Sequence, residues 1–300
     1  MSSAVGPVSR RERVRRVPSN EDAKRAKERE GLVAPPPPEE MDALFQSQAG
    51  ALVRGVNAFV PHLSALHAAF KEERFPDWPS VLLATILQTT AVSLFKLLPP
   101  AAPVNEPVDR RSIATLIRNL VDTHDVLDLL CDPETDEEQR LRRDILGHYL
   151  SGRINTVQKQ MVTEEAHVLY ERARSSYWER IDREISDKDR KGRLRSGESL
   201  FFLTRMERIK KACGSDAEFV RSVLADLSTY VHSVPPVLWM STLEDAFDDK
   251  PRTRANLAVW LQIANFHYAR SIRIIGKTFA LQGADELNTY LNRYRQVFKR

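Results

Sequence analysis

Arg118 and His124 stand six positions apart in Arg118-Asn-Leu-Val-Asp-Thr-His124, and Arg143 and His148 stand five apart in Arg143-Asp-Ile-Leu-Gly-His148. An arginine offers a forked set of donors to an anion, and a histidine exchanges a proton near neutral pH, so either pair holds groups suited to phosphate chemistry. Spacing alone does not rank them. Arginine fills 33 of 300 positions, so seven histidines gather roughly two such partners by chance, and two occur. Six residues of helix turn Arg118 and His124 about 120° apart, a gap that only the long arginine side chain bridges. Asp122, at i+4, is the nearer partner for Arg118, in a surface ion pair worth about 0.3 to 0.5 kcal/mol.

Other chemistries lack their motifs. Eleven scattered glycines form neither a phosphate-cradling loop nor a dinucleotide fingerprint, and HExxH, CxxC and GxSxG do not occur. Histidines 62, 67, 124, 148, 167, 232 and 267 are spread along the chain without metal-ligand spacing. No cofactor and no metal is therefore expected.

The stretch from Arg118 to His124 resembles the Arg-x(4-6)-His motif of HEPN-type ribonucleases, helical proteins of toxin–antitoxin and phage-defence systems. The resemblance covers seven residues. It implies a metal-independent endoribonuclease in which two copies meet across a dimer, Arg118 binds the scissile phosphate, His124 moves the proton of the ribose 2′-hydroxyl, and Asn119 supports them. A broader likeness rests on Arg110-Arg-Ser-Ile-Ala-Thr-Leu-Ile-Arg-Asn119 and Leu227-Ser-Thr-Tyr-Val-His-Ser233. These segments are similar to an uncharacterised bacterial all-helical family, some of whose members resemble abortive-infection proteins. That likeness spans most of residues 80–280 and suggests a constellation of Arg111, Arg118, Ser228 and His232. Ser228 and His232 are also i,i+4 neighbours that can hydrogen-bond within a polar seam. The competing reading is a non-catalytic helical interaction protein, in which these residues only stabilise the bundle.

The elements that must carry these residues are all helices. Residues 40–59 show apolar positions at helical spacing, with Pro61 kinking or restarting the helix before Leu63, Leu66 and Phe70. The stretch 81–98 is apolar nearly all round, which places it at the centre of the bundle. Asp109 caps a helix to Cys131, and Thr135 with Glu138 forms a capping-box pattern for the next, where Gly147 and Gly152 allow a close neighbour or a bend. Helices over 163–185 and 197–213 flank a polar run, 186–196, that reads as a surface loop. Ser215 and Glu218 start a helix ending before Pro235, a short helix lies near 238–247, and Asp249 with Pro251 opens a long one closed by Gly283. A last helix covers 284–298. No alternating strand pattern and no fixed repeat appears. The expectation is an all-α bundle of roughly ten helices over 40–300, in one body or two lobes (40–160 and 161–300), behind a disordered Pro-rich tail, 1–39.

Charge supports that division. Residues 1–31 hold nine Lys/Arg against five acids, and the chain totals of 45 basic and 41 acidic residues leave 36 of each for 32–300. The tail is a candidate contact for polyanions, while RNA, a protein partner or a homodimer remain the candidate partners of the neutral bundle. The basic clusters 190–195 and 205–211 lie among acids and read as solvated faces; Trp239, Trp260 and Phe201-Phe202 read as core. Two cysteines, Cys131 and Cys213, are too few for a disulfide scaffold, the stretch 81–98 is too short and polar to span a bilayer, and the tail lacks a signal-peptide core. A cytoplasmic location is expected.

Overall fold

The computed structural model describes residues 38–71, 78–99, 108–157, 163–196, 199–231 and 251–295. Helices hold 88% of these residues and no strand occurs among them, so the chain is all-α. Nine described helices have nine residues or more: α1 (Pro38–Lys71), α2 (Trp78–Leu97), α3 (Arg110–Cys131), α4 (Asp136–Val157), α5 (Glu164–Glu184), α7 (Arg205–Cys213), α8 (Ala217–Val231), α9 (Pro251–Thr278) and α10 (Asp285–Arg295). A tenth, α6 (Lys188–Arg195), has eight. Residues 238–247, expected as a short helix, lie outside the described residues, as does the tail.

Local chemistry explains where several helices begin. Asp109 accepts the Ser112 N–H at 2.9 Å, and Thr163 accepts that of Ala166 at 3.3 Å, each satisfying a free donor of the first turn. Glu138 donates its N–H to Thr135 while its carboxylate reaches back to the Glu134 N–H at 2.7 Å. The run 186–196 departs from the loop expectation. Asp187 accepts the N–H groups of Asp189 and Arg190, and Leu194 is buried, so capping and one apolar anchor make this polar stretch a helix. By contrast, α7 starts eight residues later than expected, because Thr204 and Glu207 form a full capping box there. Ser215 and Glu218 form no such box; a 3-10 turn at Gly214–Asp216 leads into α8, and Glu218 accepts from Arg221 instead. Helix α1 runs unbroken through Pro61, whose ring and the carbonyl side of Asn57 both face outward.

The centre of the bundle is α9, not α2. Helix α9 packs on α1, α2, α3, α8 and α10, burying Leu257, Trp260, Ile263, Phe266, Ile272 and Ile275 around its circumference. Each such side chain contributes about 1.5 to 3 kcal/mol by leaving water. Helix α2 rests mainly on α1 and α3, and its other face stays open. A buried polar lattice fixes this arrangement: Asn265 donates to Gln48 at 3.0 Å, Tyr294 donates to Gln48 at 3.1 Å, and Tyr268 donates to Gln88. With Gln88 donating to the Val56 carbonyl at 3.0 Å, the lattice ties α1, α2, α9 and α10 together.

A second, smaller core gathers Leu129, Ile145, Ile181, Ile185, Leu194 and Leu200 from the end of α3, from α4, α5 and α6, and from the segment before α7. Helices α4 and α5 lie against each other, locked by Asp144, which accepts two Arg180 donors at 2.7 and 2.8 Å. The smaller core thus belongs to a continuous stretch, 126–202, that straddles residue 160.

Candidate functional site

Helix α3 changes character along its length. Its first half buries Ile113, Ala114, Ile117, Leu120 and Val121, and then the buried stripe turns polar at Thr123, His124 and Asp125. Polar side chains inside a bundle need partners, and α7 and α9 provide them for Asp125 and His124.

His124 is 1% exposed. Its Nδ1 lies 3.4 Å from Asp125 Oδ1, and its Nε2 accepts from Arg270 Nε at 3.3 Å, so both contacts fit a neutral ring with its proton on Nδ1. Its ring meets His267 edge-on, with centroids 4.7 Å apart. Asp125 also accepts from Arg208 Nε at 2.7 Å. Burial alone would raise the Asp125 carboxyl, but the hydrogen bond and charge of the His124 ring, then those of Arg208, outweigh it and hold the group at about 2. Arg208 is itself fixed, donating to the Leu203 carbonyl at 3.0 Å with its guanidinium 3.9 Å over the Phe201 ring. The result is a chain of contacts, Arg208 to Asp125 to His124 to Arg270, that joins α7, α3 and α9.

Arg118 faces elsewhere. Half-buried, it donates from Nη1 to Ser228 on α8, while Ser228 donates to the Leu224 carbonyl at 2.7 Å. The structure therefore brings Arg118 and Ser228 together, but it sends Arg118 and His124 to different neighbours, as the 120° between them requires. Asn119 and Arg111 are exposed on the same helix, and His232 lies outside the described residues. Arg143 is exposed, whereas His148 is 3% exposed, in contact with the Arg174 carbonyl at 3.2 Å and tilted against Trp178. That pair also points apart.

Two further groups complete the electrostatics. Burial, then the charge of Arg118, holds Arg205 below the usual arginine range. Cys213 is buried and its thiol is pushed up to about 12, far from a nucleophilic thiolate; Cys131 lies 2.9 Å from the Ser80 hydroxyl. Sequence reasoning passed over Asp125, Arg208, Arg270 and His267. The one signal available was the run Thr123-His124-Asp125 on an otherwise apolar stripe, because buried polar residues at consecutive positions demand partners from other helices.

As chemistry, the arrangement can fix three helices in register and hold Arg270 by its Nε. It leaves no solvent-facing ring nitrogen on His124 for a substrate. No protein family, curated protein or solved structure matches this chain.

Proposed function

We propose that the chain is a non-catalytic helical interaction protein that docks a second copy of itself through the outer face of α1 and α2. One observation carries this reading: over 55–70 and 78–95 that face is open, carries no charged residue and exposes large apolar side chains among small and neutral polar ones. Neither 55–70 nor 78–95 contains an Asp, Glu, Lys or Arg, in a chain where such residues make up 29%. The two helices run antiparallel, with Gln88 bonded to the Val56 carbonyl and His67 bonded to Thr85 at 2.7 Å. Val60, Phe70, Leu82 and Ile86 are 40 to 48% exposed along them. The Thr89 hydroxyl on the same face donates to its own helix at 3.0 Å, so covering that side chain does not strand its donor. Soluble proteins rarely leave such a patch without a partner.

A second copy fits in size and charge. Sixteen residues of helix are about 24 Å long and two helices about 20 Å wide. That gives about 500 Å² on each copy and about 1,000 Å² for the pair, the lower bound for a specific interface. Lys96 marks the α1 N-terminal end of the face, and Arg54 lines the cleft between α1 and α10, so a two-fold axis perpendicular to the helices keeps the Lys96 charges of the two copies apart. The basic stretch 1–31 adds a means of contacting polyanions.

An HEPN-like ribonuclease of a defence or toxin system is less well supported, because its acid/base group would be His124, which is buried and engaged on both ring nitrogens. Light scattering on the full chain tests the proposal. The native protein is expected at twice its 34.3 kDa, and Ile86→Glu at the single-chain mass with unchanged helicity. A native monomer, or an Ile86→Glu dimer, overturns the docking face. RNA incubated with the purified chain is expected to stay intact; cleavage that disappears in His124→Ala would restore the ribonuclease.

A further inference from the structure

Between α9 and α10 lies a cavity of about 180 Å³ with a one-sided chemistry. Arg270 and Arg273, at i,i+3 on α9, face Asn288 and Asn292, at i,i+4 on α10, so each pair shares one side of its helix. Leu291 and Tyr294 help line the remainder, and no carboxylate lines it. The volume is below the roughly 300 Å³ of a drug-sized pocket and holds about six waters at roughly 30 Å³ each, which suits one small polyatomic anion.

Several arginines of the bundle are neutralised within it, as Arg142, Arg180 and Arg208 are by Glu138, Asp144 and Asp125. Arg270 and Arg273 form no ion pair with any described carboxylate. Arg270 is also held in place: its Nε contacts His124, and its guanidinium lies 5.7 Å from the Phe266 ring centroid. His124 is fixed in turn by Asp125. The buried chain running back to Arg208 therefore orients Arg270, whose outer nitrogens donate to no acceptor among the described residues.

We infer that this cleft binds a phosphate group, with Arg270 and Arg273 supplying charge and forked donors and the amides of Asn288 and Asn292 adding neutral ones. Two positive charges match a phosphate dianion, and Arg is the side chain whose planar fork fits its oxygens. His124 is then a positioning residue for Arg270. The proposal stands apart from the docking face, which uses α1 and α2.

Calorimetric titration of the full chain distinguishes the sources of such a group. Inorganic phosphate and adenosine 5′-monophosphate are titrated separately, each against sodium chloride at matched ionic strength. Saturable binding of either is expected, weakened about tenfold or more by Arg273→Gln, an exposed position whose loss removes a charged hydrogen bond. Asn292→Asp, also exposed, places a negative charge in the cleft and is expected to abolish binding. Tighter binding of the nucleotide assigns a phosphomonoester ligand; equal binding assigns free phosphate. Heats indistinguishable from chloride, or affinities unchanged in both variants, overturn the site. Because neither variant touches α1 or α2, both should keep the oligomeric mass of the native chain.

Discussion

His267 is fully buried and neither ring nitrogen has a hydrogen-bond partner. Burial, and then the neighbouring His124, lower its pKa well below 6.5, so the folded protein keeps the ring neutral where the unfolded chain would protonate it. The unfolded state binds the extra proton, and stability therefore holds above pH 6.5 and falls below it, by about 1.4 kcal/mol for each pH unit until the folded value is reached. Asp125 acts in a separate window. Its folded pKa of about 2 lies below the ordinary 3.8, so its contribution is present above pH 4 and lost as the pH falls toward 2. His267→Leu should flatten the stability profile between about pH 7 and 5 while leaving the acid limb in place. Urea denaturation at a series of pH values measures both, and a variant with the native slope across that range would reject the assignment. The sequence displays His124 and Asp125 as polar residues on an apolar stripe, yet nothing in it pairs them with Arg208, 83 positions away, or Arg270, 146 away. Those partners come from helix packing, which residue spacing does not encode. Arg118 and Ser228 meet for the same tertiary reason, and no periodicity in either helix foretells it.

Single helices were more legible, because capping is local. Asp109 and Thr163 announce their helices within three residues, and the structure places the donors where those side chains expect them. Legibility ends where burial overrides composition. Lys188–Arg195 is strongly polar, but Leu194 anchors it to the smaller core, and a single buried side chain is invisible in the mean hydropathy of eight residues. Likewise, the uniform apolarity of α2 suggests a central helix, while α9, interspersed with Asn265, His267 and Ser271, occupies that place: Asn265 bonds across to Gln48, Ser271 bonds back to its own helix, and only the His267 ring is buried without a hydrogen bond. Gly147 is a case where the residue type carried its meaning. A Cβ at that position would stand 2.5 Å from the Tyr177 ring on α5, so the close approach of α4 and α5 depends on its absence. Gly147→Ala should destabilise the protein by about 1 to 3 kcal/mol, although alanine is the better helix former by up to about 1 kcal/mol. Tyr177→Ala in the same chain should recover part of that loss. Additive losses in the thermal unfolding of the double variant would show that the ring and the glycine do not meet.

Across the whole molecule, the two cores make different demands on stability. The larger one draws on α1, α2, α3, α7, α8, α9 and α10, elements far apart in sequence, whereas the smaller is closed within residues 126–202. A core with few, mostly local members opens more readily, so α4, α5 and α6 should form the less protected unit. What couples that unit to α3 is Arg142. It is 4% exposed, donates from one nitrogen to the Asp128 and Leu129 carbonyls at 2.7 and 2.8 Å, and pairs with Glu138 at 2.6 Å. The two carbonyls close the last turn of α3, where a cation also opposes the helix dipole. Truncation to alanine leaves the Leu129 carbonyl without this donor and the Asp128 carbonyl with only the Asp132 N–H at 3.4 Å, at a cost of about 2 to 3 kcal/mol once the partial exposure of Glu138 is allowed for. If the smaller core opens on its own, that energy appears there first. Amide exchange in 136–195 should then quicken by about 30- to 150-fold in Arg142→Ala, while amides of α1 and α9 keep their native rates. Equal acceleration throughout the bundle would mean instead that both cores open together, and that Arg142 stabilises one cooperative unit.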